Sequence, residues 1–341
     1  MSIAFLIPTP IPDQPETDAY AQEIAVLRRR FGGESLYINP NNYLPRHLPI
    51  QIPRPFFGFH QLIQLRRLGK AHRLFQIYSP TLYPYPILSL ARRPVIYTLT
   101  GGAELKTHDI AFFRSLAAVT TSDEASLERL RKAGLDNVRL VRAGIDTRRF
   151  EHHPPPQGSD FHLLMASAPW TRPQFESKGV DALLETARRR SDLRLTFLWR
   201  GILTGEILDR VRSAGLEGRV RVVDEQVDVN EILAGVHATI NLATTPDIVK
   251  AQPHSLVESL AAGKPVLVSR AIPLSAYVEE KRVGEIVETV TPEAIAQAVD
   301  RLRDHYSDSR AAAMTHGRTD FAEEAMVSSF ATVYAEVQEA S

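Results

Sequence analysis

The feature that most constrains the fold of this chain is the repeated alternation of short apolar runs with segments that have helical spacing. Runs typical of buried strands occur at residues 3–8, 94–99 and 266–268, among others. Alternation of this kind predicts parallel sheets with helices on both faces, and therefore an α/β fold. The chain has 341 residues, which is enough for two such domains.

A proline-rich segment suggests where the two domains meet. Residues 143–150 lead into His152-His153-Pro154-Pro155-Pro156, and consecutive prolines are typical of a stiff linker. The strand and helix alternation restarts beyond it. The sequence therefore predicts one domain over residues 1–150, a second over 151–320, and a last helix within 321–341.

Charge is distributed unevenly along the chain. Residues 1–150 contain 20 Lys and Arg against 12 Asp and Glu, whereas residues 151–341 contain 20 against 28. Residues 35–103 contain no acidic residue, and their eight basic residues are Arg46, Arg54, Arg66, Arg67, Lys70, Arg73, Arg92 and Arg93. Such asymmetry indicates an anionic partner for the first half.

Composition also excludes several classes of site. The chain has no cysteine, which excludes disulfides, thiolate zinc sites and a cysteine nucleophile. No apolar run approaches the roughly 20 residues that span a bilayer, and the N-terminus lacks a basic leader. No nucleic-acid-binding motif appears, and the second half is acidic. We therefore expect a cytoplasmic protein that does not bind nucleic acid.

The stretch 250–269 carries the densest set of binding signals. A loop ends at Pro253, a short helix follows, and Gly263 fits the left-handed position after a helix. Ser255 lies three residues before Glu258, which is the spacing of a capping box. A loop that meets a helix N-terminus presents backbone N–H groups and a positive dipole, so it suits an anion such as a diphosphate.

This stretch resembles the donor-binding signature of the retaining GT4 glycosyltransferases, which have the GT-B fold. The matching residues are Glu258, Ala261, Gly263, Pro265 and Val266, with further matches at residues 120–122 and 144–150. The resemblance implies two doubly wound, Rossmann-like domains that face each other across a cleft. It further implies that the first domain binds the acceptor, the second binds the nucleotide sugar, and the C-terminal helix packs back towards the first domain.

The resemblance also implies a reaction. A sugar moves from a nucleotide diphosphate donor to an acceptor hydroxyl, with retention of configuration and without a metal. No Asp-x-Asp motif is present to hold one. The implied partners are a nucleotide sugar and a polysaccharide, glycolipid or small-molecule acceptor, and no cofactor is expected beyond the donor itself.

The resemblance places cations beside the donor phosphates. Lys178 and Arg172 would pair with the diphosphate and stabilise the charge that grows on it as the sugar leaves. Gly201, after a predicted strand, would lie at the same edge. The alternative is that Lys178 and Arg172 are ordinary surface charges at a helix start.

The predicted helix within residues 250–269 would supply the remaining donor contacts. By resemblance, Glu258 accepts hydrogen bonds from the ribose hydroxyls, and His254, Ser255 and Leu256 lie near the phosphates. The alternative for Glu258 is the capping box with Ser255.

Two positions depart from the family pattern. Lys250 stands where the family has a glutamate, and it could hold an anionic sugar, pair with the donor phosphates as a catalytic cation, or mark a silent site. Thr100 stands where a histidine is common. Gly101, Gly102 and His108 are the other acceptor-side candidates. A non-catalytic protein that binds nucleotide sugars and a sugar-nucleotide epimerase are therefore the alternatives.

The segment 43–85 combines aromatic and basic residues, including Phe56, Phe57, Phe59 and the pair Arg66-Arg67. It fits peripheral contact with the inner face of an anionic membrane, or a lipid-linked acceptor. It equally fits a solvated helix face whose aromatic side packs inward.

Overall fold

The computed structural model describes residues 2–12, 19–45, 50–199 and 203–340. Arg46 and Gly201, both singled out from the sequence, lie outside the described residues. The chain forms two compact units, one of Met1–Gly144 with Glu323–Ser341 and the other of Ile145–Ala322. Within the described part of the chain, no helix is long and apolar enough to span a membrane.

The first unit is built on a six-stranded parallel sheet with the order β2-β1-β3-β4-β5-β6. Its strands are β1 (Ile3–Ile7), β2 (Gly33–Tyr37), β3 (Leu74–Ser79), β4 (Val95–Leu99), β5 (Ala118–Thr121) and β6 (Val138–Leu140). The helices that follow them in the chain are α1 (Ala19–Phe31), α2 (Leu62–Ala71), α3 (Ile110–Arg114) and α4 (Glu124–Lys132). Apolar clusters cover both faces of the sheet, as predicted from the strand and helix alternation.

The second unit is also built on a six-stranded parallel sheet, with the order β12-β11-β10-β7-β8-β9. Its strands are β7 (Phe161–Met165), β8 (Leu193–Leu198), β9 (Val220–Val223), β10 (Ala238–Asn241), β11 (Val266–Ser269) and β12 (Gly284–Val287). Its helices are α5 (Gln174–Ser177), α6 (Val180–Arg189), α7 (Thr204–Ser213), α8 (Val229–Ala234), α9 (His254–Ala261), α10 (Ser275–Lys281), α11 (Pro292–Asp304) and α12 (Tyr306–Asp320). Helices again pack on both faces.

The last helix, α13 (Glu323–Glu339), belongs to the first unit. A buried chain of polar side chains connects it to the sheet. The Tyr334 hydroxyl donates to Gln76 Oε1, and Gln76 Nε2 donates to Thr98 Oγ1 at 2.8 Å. Thr120 Oγ1 donates to the same oxygen at 2.9 Å. Burial raises the pKa of Tyr334 far above its usual value, which keeps the hydroxyl protonated as a donor.

The chain enters and leaves the second unit side by side. The Ile145 amide donates to the Phe321 carbonyl at 2.9 Å, and Ile145 forms a parallel bridge with Ala322. Ile145 and Phe150 pack in the core of the second unit, although the sequence placed them in the first domain. The proline segment 152–156 therefore lies within the second unit and does not connect the two.

Both sheets contain a point where the strand order reverses. In the second sheet the chain runs outward from β7 in one direction and from β10 in the other, so the reversal lies between these two strands. In the first sheet it lies between β1 and β3. Open parallel sheets bind ligands outside the carboxyl ends of the strands at such points.

Helix α12 packs closely on α9 because one of its residues lacks a side chain. A Cβ atom on Gly317 would lie 2.0 Å from the Leu260 carbonyl oxygen. Ala313, one turn earlier on α12, is also fully buried. Small residues thus let the two helix backbones approach each other.

Beside these helices the segment 152–156 covers a buried lysine. The Lys264 side chain is fully buried, and its Nζ donates to the Pro154 carbonyl at 3.5 Å. Arg310 lies nearby and donates to the His153 carbonyl at 3.1 Å. Burial, followed by repulsion from Arg310, lowers the pKa of Lys264 from 10.5 to about 8.

We predict that Gly317→Ala destabilises the protein, because the new methyl group meets backbone that cannot rotate away. Overpacking of this kind costs about 1–3 kcal/mol, which corresponds to a fall of several degrees in the thermal unfolding midpoint. Gly205→Ala in α7 is the matched control, since its Cβ would have no neighbour within 4 Å. Equal midpoints for the two variants would contradict the close packing of α12 on α9.

We predict that Lys264 makes the free energy of unfolding increase between pH 8 and 10.5. The unfolded chain keeps this lysine protonated up to its usual pKa of 10.5, whereas the folded protein releases the proton at about pH 8. The unfolded state therefore binds more protons in this window, and stability rises with pH. Urea unfolding at several pH values should show a smaller rise for Lys264→Met.

The control for this series is Lys132→Met, which removes an exposed lysine. It should show the same rise in stability as the wild type. A rise of wild-type size in Lys264→Met would contradict the proposed burial of a charged group.

Candidate functional site

The loop after β7 positions Lys178 through a glycine. Gly179 has φ +68° and precedes α6. A Cβ atom on Gly179 would lie 2.7 Å from side-chain atoms of Leu242 and Val290. Both the left-handed backbone and the lack of space require glycine here. The Ser-Lys-Gly turn is therefore held against the loop that follows β10.

Lys178 is nearly buried in this turn. The residue is 6% exposed, and its Nζ donates to the Ala168 carbonyl at 3.1 Å. Its amide donates to the Gln174 carbonyl at 2.9 Å. The interpretation of Lys178 as an ordinary exposed charge is thus wrong. The Lys178 amino group is therefore held in place at the carboxyl edge of the sheet, the side on which open parallel sheets bind ligands.

Arg172 lies in the same loop but in a different environment. Its side chain is 77% exposed, and its Nε donates to Glu206 Oε2 at 3.0 Å. An exposed ion pair of this type contributes about 0–1 kcal/mol. Arg172 therefore fits the interpretation as a surface charge, whereas Lys178 does not.

The loops after β7 and β10 are bonded to each other. The Thr244 amide donates to the Ser177 carbonyl at 2.9 Å. At the base of the same loop, the Ala243 amide and carbonyl both bond to Ser269 Oγ, at 2.8 and 2.9 Å. The structure therefore brings the Lys178 turn beside the segment that leads to α9. Lys250 is exposed in that segment.

The N-terminus of α9 differs from the predicted capping box. The N-cap residue is Pro253, which makes no side-chain cap hydrogen bond. The amides of Leu256 and Val257 both donate to the Pro253 carbonyl. Ser255 is therefore inside the first turn, and Glu258 lies too far along the helix to be its capping partner. Because first-turn amides have no carbonyl within the helix to bond, this end carries positive polarity.

The C-terminus of α9 has the predicted left-handed glycine. Gly263 has φ +69°, and its amide donates to the Leu260 carbonyl. The Lys264 amide donates to the Ser259 carbonyl at 2.9 Å, which completes a Schellman motif. The motif ends α9, and the chain then continues into β11. The C-terminal end of α9 is therefore fixed by the Schellman motif.

Asn241 is a candidate that the sequence reasoning missed. It ends β10 at the reversal point and is 2% exposed. Among the described atoms its Oδ1 has no hydrogen-bond partner. A buried unpaired amide oxygen is costly, and one beside a ligand-binding edge points to a missing donor. An asparagine that ends an apolar strand was the available sequence signal.

The acceptor-side candidates all lie in the first unit. The Thr100 amide and Oγ1 both donate to the Ser79 carbonyl, at 3.0 and 3.2 Å. A Cβ on Gly101 would lie 2.2 Å from the Pro80 carbonyl oxygen. The loops after β3 and β4 are therefore in close contact. Gly102, the next residue of this loop, is half-buried.

His108 is placed differently. It lies in a separate 3₁₀ helix, Thr107–Asp109. Its side chain is 76% exposed, and its Nε2 lies 3.4 Å from Asp109 Oδ1. The Thr100 hydroxyl thus donates to the backbone carbonyl of Ser79, and the His108 ring lies beside the carboxylate of Asp109.

The described parts of the chain contain no group of three or more His, Asp or Glu side chains that could hold a metal ion. Lys178 and the N-terminus of α9, which follow the strands beside the reversal point of the second sheet, suit an anion.

A family model and several solved structures match this chain. Residues 165–305 match the family model for glycosyl transferases group 1. This range runs from the end of β7 through α11, and so includes the Lys178 turn and α9. The comparison with curated protein sequences found no match.

Solved structures match over the whole chain at low sequence identity. HepE from Anabaena, solved in complex with UDP, is 14% identical, with a TM-score of 0.74 over 98% of this chain and 100% of its own. A glycosyltransferase from Rickettsia africae is 13% identical, with a TM-score of 0.75 over 100% and 99%. Sucrose-phosphate synthase from Thermosynechococcus elongatus is 16% identical, with a TM-score of 0.72 over 100% of both chains.

These similarities agree with the two parallel sheets and their strand order. Residues 165–305 match the group 1 glycosyl transferase family, and this chain has the GT-B fold.

Proposed function

We propose that this protein transfers a sugar from a nucleotide diphosphate donor to an acceptor hydroxyl, with retention of configuration and without a metal. The observation that carries the proposal is the bonded pair of loops at the reversal point of the second sheet. The hydrogen bond from Thr244 to Ser177 sets the buried ammonium of Lys178 beside the segment that leads to the N-terminus of α9. The group 1 match covers both loops.

In this proposal the diphosphate is bound by Lys178 and by the first turn of α9, at His254, Ser255 and Leu256. Negative charge grows on the phosphate oxygens as the glycosidic bond breaks, and pre-positioned donors stabilise it most in the transition state. The Ala168 carbonyl fixes the direction of the Lys178 ammonium, so no reorganisation is needed at that step. In this proposal, residues of the chain supply the positive charge that a bound metal ion supplies in metal-dependent enzymes.

Other groups of the second unit would complete the donor site. Glu258, released from the capping role by the position of Pro253, would accept hydrogen bonds from ribose hydroxyls. Arg172 would exchange its surface partner Glu206 for a donor phosphate. The unpaired oxygen of Asn241 would accept a hydrogen bond from the donor.

Lys250 bears on the identity of the sugar. Its ammonium would bind the carboxylate of a uronic acid or a donor phosphate, since a lysine cannot accept hydrogen bonds from sugar hydroxyls. A donor panel that contains neutral and acidic sugars separates these two roles. Because HepE was solved with UDP, UDP-sugars are the first donors to test.

The acceptor would be bound by the first unit. Backbone amides near Gly101 and Gly102 would orient its hydroxyl, and Thr100 and His108 are the side-chain candidates in the same unit. The proposed acceptors are a polysaccharide, a glycolipid or a small molecule. The proposed location is the cytoplasm, including the inner face of the membrane.

We predict that at least one UDP-, GDP- or ADP-sugar raises the thermal unfolding midpoint, and that Lys178→Met abolishes the increase. CMP-sugars, which carry a single phosphate, are part of the same panel for comparison. A ligand at a hundred times its Kd stabilises by about 2.7 kcal/mol, which is a shift of several degrees. The control, Lys132→Met, removes an exposed lysine of α4 in the first unit and should respond like the wild type.

Midpoints without ligand separate binding from folding, because Lys178→Met also removes the hydrogen bond to Ala168. If the wild type shows the same midpoint with every donor in the panel, the proposed site is wrong.

We predict that transfer continues in the presence of EDTA and gives a product with the donor's anomeric configuration. The chain's own cations stabilise the leaving phosphate, so chelation removes nothing that the step requires. Proton NMR of the product reports the anomeric configuration directly. Inhibition by EDTA that magnesium reverses would contradict the metal-independent step, and an inverted product would contradict retention. Donor binding without turnover would favour the non-catalytic alternative.

A further inference from the structure

The first unit carries an unusual exposed apolar surface. Of the nine large apolar side chains that are exposed in the described residues, seven belong to the first unit. Five of them are close in sequence, namely Tyr43 (56% exposed), Ile50 (65%), Phe56 (59%), Phe59 (41%) and Ile63 (85%). We call residues 43–45 and 50–70 the apolar-basic surface. Exposed apolar groups concentrated in this way mark interaction sites.

The exposed aromatic rings are held outward by anchored neighbours. Phe57 is 6% exposed and stacks on Tyr85, with ring centroids 6.2 Å apart. Gly58 has φ +86°, and its amide donates to the Ile38 carbonyl at 2.8 Å. Because residues 57 and 58 are fixed to the core, Phe56 and Phe59 on either side point away from it. The exposed rings are thus presented by an ordered backbone.

Side-chain contacts join the segments of this surface. Asn41 bonds to the backbone of Ile52 twice, through Nδ2 at 3.1 Å and Oδ1 at 2.7 Å. Gln61 Nε2 donates to the Tyr43 hydroxyl at 3.0 Å, and the Tyr43 ring lies 5.5 Å from the His60 ring. The residues around 43, 50 and 60 therefore form one continuous surface.

Helix α2 adds positive charge next to the apolar groups. Leu65 and Leu68 face the core, whereas Ile63, Arg66 and Lys70 are exposed at i, i+3 and i+7 on the outer face. Arg67 is exposed too and bonds to Glu34 at 3.0 Å. Glu34 lies just before the stretch 35–103, which contains no acidic residue. The outer face of α2 thus combines an apolar group with cations.

We propose that the apolar-basic surface docks on a membrane that contains anionic phospholipids. Apolar side chains that stand out from an ordered backbone enter the boundary between headgroups and acyl chains, and the neighbouring cations bind lipid phosphates. The cations suit anionic headgroups, and residues 43–45 and 50–70 contain no acidic residue that would repel them. Nucleic acid contacts need cations but not exposed Phe and Ile. The surface fits an anionic bilayer best. This proposal rests on the first unit alone and does not depend on the donor site.

Sedimentation with phospholipid vesicles tests the proposal on the full chain. The wild type should bind vesicles of phosphatidylcholine that contain phosphatidylglycerol at least about tenfold more strongly than phosphatidylcholine alone. Arg66→Glu with Lys70→Glu should lower binding to the anionic vesicles by about tenfold or more, since each cation near the surface contributes. Phe59→Ser with Ile63→Ser should lower it as well, through loss of apolar contact.

The matched control is Leu208→Ser with Arg212→Glu, on the exposed face of α7 in the second unit. It should sediment like the wild type. All variants should keep the wild-type unfolding midpoint, because every changed side chain is exposed, and they should keep the stabilisation by nucleotide sugars. A negative result in the vesicle experiment would therefore not contradict the proposed donor site.

Two results would overturn the proposal. One is no sedimentation of the wild type with anionic vesicles. The other is binding to a DNA duplex that falls with the charge variant but not with the Phe59 and Ile63 variant, which would assign the surface to nucleic acid.

Discussion

The proposed donor site depends on one backbone hydrogen bond at the reversal point of the second sheet. Thr244 donates to the Ser177 carbonyl, and this bond joins two loops that are far apart in the chain. Parallel strands leave both loops at the same edge, but a shared edge does not bring them into contact. The bond holds the Lys178 turn against the loop that leads to α9. In the proposal, the lysine and the helix end bind the same ligand.

Glycines hold the elements around this site at short distances. Gly179 lets the Lys178 turn pack against Leu242, and Gly317 lets α12 pack on the backbone of α9 at Leu260. Side chains at either position would push the elements apart. The position of α9, and with it the direction of its N-terminal amides, therefore depends on packing at the opposite end of this short helix.

Charge is organised differently in the two units. In the first, cations lie beside exposed apolar groups on a surface with few acidic residues. In the second, which has an excess of acidic residues, the buried Lys178 and the N-terminus of α9 form a local positive region. In the proposal, a small positive region of an acidic domain suits a compact diphosphate better than an extended polyanion.

The sequence by itself determined the strands, the alternation with helices and the left-handed stop at Gly263, because each is a local pattern. It did not indicate α12, whose contact with α9 uses small residues such as Gly317 in place of a periodic apolar face. Tertiary contacts were needed to establish that Lys178 is buried and that Pro253 and not Ser255 precedes the first turn of α9. Burial and partners depend on which distant segments pack together, and no local spacing of residues records that.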